Sequence, residues 1–293
     1  MNKLKSVKIL STIFIAAIGI TSCGDPVVTI EDAGYEPKIV VNAFVYPDEP
    51  VQNIYIMRNF RLNTPVDSTI IFLTPQTNAT EVTINDTPLQ FDEVKNTYFS
   101  NNIIINNGTT YRLNVSAVID GIEVNTESFT TTPNAGFDII TNDLGTAIYR
   151  ETELFIDFMP SPGTGFYLFS FLPDSASYDN FINDNPYLPN LEREYFEENY
   201  FRFLFQFNLL LNINSYSTEP IQMQVSGFDT WFYANYRVIV YAGDENFKDY
   251  FITAGRVQQF DGNFIEPEFH LTGDGIGVFG SAIRDTVTFT ITP

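Results

Sequence analysis

The sequence predicts a mainly β protein with two β-sandwich domains, the second carrying one packed helix and a long loop insertion. Short runs rich in β-branched and aromatic residues recur between Asn, Asp, Gly and Pro at roughly even spacing, which is typical of strands and turns. The chain supplies a core, with 28 Phe and 16 Tyr in 293 residues, and aromatic rings bury large areas. Its one cysteine, Cys23, excludes an intramolecular disulfide, so the fold depends on hydrophobic cores.

Residues 1–22 have the form of an export signal. A lysine-rich start precedes an apolar run that is too short to span a bilayer, and small residues follow. Its last three residues and the next one form Ile20-Thr21-Ser22-Cys23, which resembles the lipobox of bacterial lipoproteins. The resemblance implies acylation of Cys23. We expect a signal peptide over 1–22, a lipidated tether over 23–37 and attachment to membrane lipid through Cys23. The alternatives are a secretory signal with an incidental cysteine, or an uncleaved anchor.

The charge balance excludes one class of partner. The chain carries 15 Lys and Arg against 36 Asp and Glu, a net charge of −21. Loss of three lysines with residues 1–22 leaves 12 against 36, or −24. Nucleic acid and anionic lipid headgroups repel such a body, so we expect no nucleic-acid partner. A solvated acidic surface explains this charge, and calcium binding is the alternative. Its weak candidates, whose spacing does not match the twelve-residue calcium loop, are Asp179, Asn183, Asp184 and Asn185.

The first predicted domain covers residues 38–133. In its segment 105–115, the apolar residues Tyr111, Leu113 and Val115 alternate with polar ones, which indicates a strand with one buried face. This segment resembles the tyrosine-corner strand of fibronectin-type-III and immunoglobulin-like sandwiches, in which a Tyr hydroxyl bonds to nearby backbone. The resemblance implies an immunoglobulin-like first sandwich.

The second predicted domain covers residues 137–293, after a Thr- and Pro-rich boundary. A helix near 245–258 is predicted by apolar residues at helical spacing, with Asp244 as its N-cap. Four phenylalanines spaced by two predict a strand with all four rings on one side, which we interpret as core rather than as an aromatic platform for sugars or a partner. They are Phe201, Phe203, Phe205 and Phe207.

A long insertion between residues 175 and 200 has no clean strand pattern. Long loops in compact domains are functional or disordered, and the aromatic content of this one argues against disorder. The insertion is therefore the first candidate for a binding surface. Its candidate binding residues are Tyr178, Phe181, Tyr187, Tyr195 and Phe196.

Motifs for catalysis are scarce. Gly275, Gly277 and Gly280 match a dinucleotide-binding glycine pattern, but a strand rather than a helix is predicted after them, so we reject that function. His270 is the single histidine, which excludes a multi-histidine zinc site, and no nucleophile motif accompanies it. We expect no cofactor, no metal site and no enzymatic activity.

Taken in order, the segments resemble a family of outer-membrane lipoproteins of unknown function, DUF4249. Besides the lipobox at Cys23, the resemblance rests on four segments: EPKIVVNAFVYPDEP, GIEVNTESFTTTP, VIVYAGDENFKDYFITAG and GDGIGVFGSAIRDTVTF. No reaction is assigned to this family, so the resemblance implies no catalytic residue. It implies an accessory lipoprotein that works beside TonB-dependent transporters.

Three functional hypotheses follow. The first is a non-enzymatic binding or accessory lipoprotein of the outer membrane that contacts a transporter, a surface glycan or another protein. The second is a glycan-active hydrolase with an Asp/Glu pair, although no cue selects a pair among the 36 acidic residues. The third is a structural or adhesive surface protein. The sequence leaves surface and periplasmic orientations open.

Overall fold

The computed structural model describes eight stretches of the chain, residues 34–61, 64–66, 68–183, 191–204, 207–214, 217–226, 229–253 and 267–293. Cys23 and the predicted signal lie outside them. Residues 37–60 and 64–293 form one compact unit. The other unit comprises residues 1–36 and 61–63. Its described residues, 34–36 and 61, have no regular secondary structure. Within the described stretches, no helix has both the length and the apolar character needed to cross a bilayer.

The first half of the fold consists of eight strands, as the β-rich sequence predicts. They are β1 (Ile39–Val45), β2 (Pro50–Arg58), β3 (Glu81–Ile84), β4 (Thr87–Pro88), β5 (Gln90–Asp92), β6 (Thr97–Ile104), β7 (Thr110–Ile119) and β8 (Ile122–Thr131). Two one-turn helices, α1 (Ser68–Ile71) and α2 (Pro75–Asn78), lie between β2 and β3. In β7, buried and partly exposed residues alternate from Tyr111 onward, which confirms the predicted period of two.

The second half adds nine strands and three helices to the described fold. The strands are β9 (Asp138–Ile139), β10 (Asp143–Ile148), β11 (Leu154–Met159), β12 (Phe166–Pro173), β13 (Phe207–Asn212), β14 (Ile221–Val225), β15 (Asn235–Gly243), β16 (Leu271–Gly273) and β17 (Gly275–Thr292). The helices are α3 (Arg193–Glu198), α4 (Tyr200–Leu204) and α5 (Glu245–Thr253), and a 3₁₀ turn covers Tyr178–Asn180.

The strands form three sheets that pack as sandwiches. A nine-stranded sheet has the order β13-β12-β15-β17-β1-β2-β6-β5, and β10 also pairs with β17. The smaller sheets have the orders β16-β8-β7-β3-β4 and β14-β11-β9. β17 pairs with β1 in parallel through its first half and with β15 in antiparallel fashion through its second half. This one long strand therefore continues from one sandwich into the other.

Two large hydrophobic cores lie between the sheets. The first core joins residues such as Val41 and Ile56 of the nine-stranded sheet to Val82 and Leu113 of the five-stranded sheet, and it also takes in Phe279 of β17. The second core is more aromatic and covers 137–291. The mainly β sandwich class is thus confirmed. The structure differs from the predicted boundary in one respect, because β16 and the first half of β17 pair with β8 and β1 of the first sandwich.

The tyrosine corner predicted at Tyr111 is confirmed. The backbone N–H of Asn106 donates to the Tyr111 hydroxyl at 2.8 Å, as the resemblance to immunoglobulin-like strands implies. The second sandwich has two comparable bonds that we did not predict. Ser161 N–H donates to the Tyr167 hydroxyl at 2.9 Å, and the Tyr236 hydroxyl accepts from the backbone N–H groups of residues 231 and 232.

The predicted strand over Phe201–Phe207 is wrong in its first part. Residues 200–204 form α4 and the strand begins at Phe207, while 205–206 lie outside the described residues. Phe203 is buried and stacks on Phe196 with ring centroids 5.1 Å apart, whereas Phe201 is 73% exposed. The helix turns alternate rings in different directions, so packing of Phe203 against α3 overrides the period-two pattern.

The glycines of β17 confirm that no dinucleotide-binding turn is present in this described segment. Gly275, Gly277 and Gly280 lie in a strand, with no helix after them. Gly277 has φ +110°, and a Cβ atom there would lie 2.0 Å from the carbonyl oxygen of Val41. Only glycine allows β17 to approach β1 this closely.

Candidate functional site

The structure buries two of the five candidate residues of the insertion. Phe181 and Phe196 are 3% and 2% exposed and belong to the second core. Their ring centroids lie 5.6 Å apart, and both rings pack against Phe232. These two rings therefore stabilise the fold and cannot form an open binding surface, contrary to the expectation from the sequence. The reason is that α3 and the segment around the 3₁₀ turn pack against the second core.

The other candidates of the insertion differ in position. Tyr178 is partly buried, and its hydroxyl donates to the carbonyl of Leu191 at 2.8 Å. Tyr195 is 46% exposed on α3, and a role in binding stays a prediction for both tyrosines. Tyr187 lies outside the described residues.

The weak calcium candidates do not come together as a described site. Asp179 accepts from the guanidinium of Arg193, so a cation of the protein itself already balances this carboxylate. Asn183 is exposed. Asp184 and Asn185 lie outside the described residues, so calcium binding stays untested there.

A large cleft among the described residues lies where the two sandwiches join. Its volume is about 580 Å³, within the range of roughly 300–1,000 Å³ that is usual for ligand sites. We name it the junction cleft and define it by residues 131–134, 162–166, 212–213 and 243–245, together with Lys248. The sequence analysis interpreted one of these ranges, residues 131–134, only as part of a domain boundary.

The wall of the junction cleft is held by hydrogen bonds from both sandwiches. The Thr132 hydroxyl donates to the carbonyl of Asn106 at 2.6 Å in the first sandwich. The Asn134 side chain donates to the carbonyl of Pro162 at 2.9 Å, and the Ser161 hydroxyl donates to the carbonyl of Asn134 at 2.7 Å. Hydrogen bonds to both sandwiches therefore hold the segment that the sequence predicts as a domain boundary.

Asp244 closes the other side of the cleft and confirms the predicted N-cap. Its Oδ1 accepts from the backbone N–H of Phe247 at 2.9 Å, so helix α5 begins as the sequence predicts. The same oxygen accepts from Ser281 N–H at 3.1 Å, and Oδ2 accepts from the Thr130 hydroxyl. One carboxylate therefore joins α5, β17 and β8. The described helix ends at Thr253, and residues 254–258 of the predicted helix lie outside the description.

Burial raises the pKa of the Asp244 carboxyl, and the hydrogen bonds from residues 130, 247 and 281 lower it in part. A raised carboxyl pKa in a cleft is one mark of a general acid or base. Here, however, both oxygens already accept from protein donors, which use much of their capacity to act on a ligand. The geometry assigns Asp244 to holding the cleft together.

His270 forms a second polar cluster, which the sequence analysis missed. Its Nε2 lies 2.8 Å from Oδ2 of Asp249, and one ligand atom of Glu268 lies within 4.8 Å of both. The set has the residue types of a metal site. However, the Lys248 ammonium lies 3.4 Å from the other oxygen of Asp249, so a cation of the protein itself already balances this carboxylate. Sequence spacing could not reveal the cluster, because its members come from two separate elements. Asp249 lies in α5, whereas Glu268 and His270 directly precede β16.

A family model matches most of the chain. The model of the family described as "Domain of unknown function (DUF4249)" matches residues 25–282. The chain belongs to this family. The predicted resemblance to this family is thereby confirmed over the matched residues. The match to DUF4249 assigns no activity and no site residue, so the function has to be argued from the geometry.

Two solved structures are similar to this DUF4249 protein. The first is described as the crystal structure of the FN1-FN3 domains of chicken CNTN1, with 11% identity, a TM-score of 0.22 and coverage of 88% of this chain and 69% of that one. The second is a chimeric titin Z1Z2 functionalized with a KLER peptide from decorin, with 7% identity, a TM-score of 0.20 and coverage of 88% and 97%. The search of curated proteins found no match.

Proposed function

We propose that this DUF4249 protein is a lipid-anchored binding or accessory component of the outer membrane and has no enzymatic activity. The anchor is Cys23, behind a segment with the form of an export signal. The tether over residues 23–37 separates the lipid from the sandwiches. The net charge of −24 expected for the mature chain opposes direct adsorption to anionic lipid, so the acylated cysteine alone attaches the body.

One observation carries the proposal. The junction cleft has the volume of a ligand site, yet its partly buried carboxylate, Asp244, is bonded to three protein donors. Catalysis would need a carboxylate or nucleophile that is available to the reacting atoms. A preformed cleft whose carboxylate already accepts hydrogen bonds from the protein favours binding of a ligand or of a partner's loop.

The partner we propose is an outer-membrane transporter of the TonB-dependent class, which the family resemblance implies, with a surface glycan or another protein as alternatives. Asn212 is exposed at the cleft and ends the edge strand β13, so a partner at the cleft would contact it. Glu245 and Lys248 line the same cleft and form an ion pair of 3.8 Å. Charged groups of this kind steer a partner more than they add affinity.

The test is co-purification of the full-length protein from crosslinked membranes in mild detergent. Asn212→Trp fills the cleft mouth, while Val94→Trp places the same ring on a 92% exposed turn residue far along the sequence and serves as the matched control. A transporter should co-purify with the wild type and with Val94→Trp, and less with Asn212→Trp. Recovery of no transporter, no glycan and no stable partner would count heavily against the proposal.

The hydrolase hypothesis has its own readout. The same protein is incubated with a panel of polysaccharides, and we expect no release of reducing sugar. Turnover that a single Asp or Glu substitution abolishes would reverse the ranking and make this protein an enzyme.

A further inference from the structure

Another concave site lies on the nine-stranded sheet and has a lining that shares no residue with the junction cleft. Its volume is about 220 Å³, below the usual range for drug-sized ligands and suited to a single ring of a longer molecule. We name it the sheet groove, and it is lined among others by Asn42, Tyr46, Gln52, Asn53, Tyr55 and Arg284.

The groove lies on the face of β1 that points away from the first core. Residues 39, 41, 43 and 45 of β1 are buried, so the alternate residues Asn42, Phe44 and Tyr46 lie on the opposite face. Tyr55 of β2 is the cross-strand partner of Asn42. Two neighbouring strands thus place aromatic and amide side chains side by side.

A β-bulge completes the floor of the groove. The pairing of β2 with β6 shifts register between Val51 and Ile54, and Asn53 has φ +56°. Both Gln52 and Asn53 are exposed as a result, although a regular strand would point one of them inward. Bulges are common beside functional sites because they redirect side chains in this way.

Neighbouring groups hold the aromatic rings of the groove in place. The guanidinium of Arg284 lies 4.0 Å from the ring centroid of Tyr46. Phe44 packs edge-on against Phe247 of α5 at 5.4 Å, and Tyr55 lies 6.4 Å from Phe72. Rings fixed before binding lose little conformational entropy when a ligand stacks on them.

The polar groups of the groove are uncharged or paired with each other. The side-chain amides of Asn42, Gln52 and Asn53 make no hydrogen bond to another described residue, so their donors and acceptors remain available to a ligand. Glu49 and Arg284 carry the charges, and they form a two-pronged ion pair with bonds of 3.0 and 2.6 Å. Burial raises the pKa of Tyr46 to about 12, so its hydroxyl stays neutral. The groove therefore presents no net charge.

We propose that the sheet groove binds one ring of a neutral saccharide. This inference rests on the proposed binding function and specifies its ligand class and its place. The C–H face of a sugar ring stacks on an aromatic ring. Its hydroxyls both donate and accept, which matches three amides that also do both. The paired Glu49 and Arg284 leave no net charge to attract an ionic sugar.

The test is isothermal titration of the full-length protein in an ethylene-glycol-ether detergent, since sugar-headed detergents would compete. The probes are hexasaccharides of β-1,4-glucan, β-1,4-xylan, β-1,4-mannan, β-1,3-glucan and α-1,4-glucan, with oligogalacturonate as the charged comparison. At least one neutral probe should bind. Tyr55→Ala should weaken this binding by about tenfold, as loss of one stacked ring predicts. Gln52→Ala should weaken it several-fold.

The control variant is Phe129→Ala, which removes an exposed aromatic ring from another sheet and should leave binding unchanged. Gln52 is exposed, so its variant decides the question even if Tyr55→Ala fails to fold. Absence of binding by every neutral probe overturns the inference, and so does binding that both groove variants leave intact. Tighter binding of oligogalacturonate overturns it as well. If partners still co-purify in any of these cases, the proposed binding function stands without the saccharide.

Discussion

Substitution of Asp244 tests how the two sandwiches and α5 are held together. In Asp244→Ala, the helix loses its N-cap, which costs about 1 kcal/mol. The N–H of Ser281, a fully buried residue, loses the carboxylate that accepts from it at 3.1 Å, and an unpaired buried donor costs about 1–3 kcal/mol. Removal of a partly buried charge offsets part of this cost. We expect a net loss of about 2 kcal/mol in the free energy of unfolding.

Asp244→Asn is the matched comparison. Asparagine caps helices about as well as aspartate, and its amide oxygen keeps the bonds to Phe247 and Ser281, so we expect a loss below about 1 kcal/mol. The assay is urea unfolding, followed by far-ultraviolet circular dichroism and by the fluorescence of Trp231, the single tryptophan. Equal losses in the two variants, or no loss in the Ala variant, would refute the assignment.

The difference in stability between Asp244→Asn and the wild type has a defined pH dependence. Burial raises the pKa of Asp244 above 3.8 in the folded state, so the folded protein binds this proton over a range in which the unfolded chain has released it. The contribution of Asp244 is therefore complete below pH 3.8 and decreases as pH rises through the folded pKa. The Asn variant has no such proton, so its stability relative to the wild type should increase over this window. A relative stability that is flat or falls there would contradict the buried-charge argument.

Three further predictions concern other parts of the chain. Tyr236→Phe should destabilise the protein by about 2–4 kcal/mol and Tyr111→Phe by about 1–2 kcal/mol in urea unfolding, because the first removes the hydroxyl that accepts from two backbone donors and the second removes one that accepts from a single donor. The reverse order would contradict the corner assignments. Gly277→Ala should prevent soluble expression, because its Cβ would lie 2.0 Å from a carbonyl oxygen of β1. Gly34→Ala is the control and should express normally, because no atom lies within 4 Å of its Cβ position. Normal melting of Gly277→Ala would disprove the close approach. Cys23→Ala should release a folded protein from the membrane fraction in cell fractionation, and retention there would defeat the lipoprotein proposal.

Local signals made part of the fold predictable. The alternation in β7, the hydrogen bond to Tyr111 and the cap at Asp244 all depend on residues within about one turn or strand of each other, and the structure confirms each. The Phe201–Phe207 pattern failed for the opposite reason. A spacing of two is compatible with a strand, but contacts with distant rings stabilise α4 instead.

The candidate sites were less predictable than the fold. The aromatic composition of the insertion predicted a binding surface, yet composition does not distinguish a buried ring such as Phe196 from an exposed one such as Tyr195. The sequence does not indicate the junction cleft or the sheet groove, because segments far apart in the chain form their walls. Arg284 and Glu49, for example, are 235 residues apart and meet only in the folded sheet.

By itself, the sequence determined the β class of this protein, its family, its acidic charge and the form of its N-terminal segment, because these depend on composition and on short-range periodicity. The tertiary structure alone decided that β17 runs through both sandwiches, that Asp244 ties three elements together and that a bulge exposes Gln52 and Asn53 beside Tyr55. The physical reason is that strand pairing, burial and cross-strand contacts join residues whose separation along the chain carries no local signal.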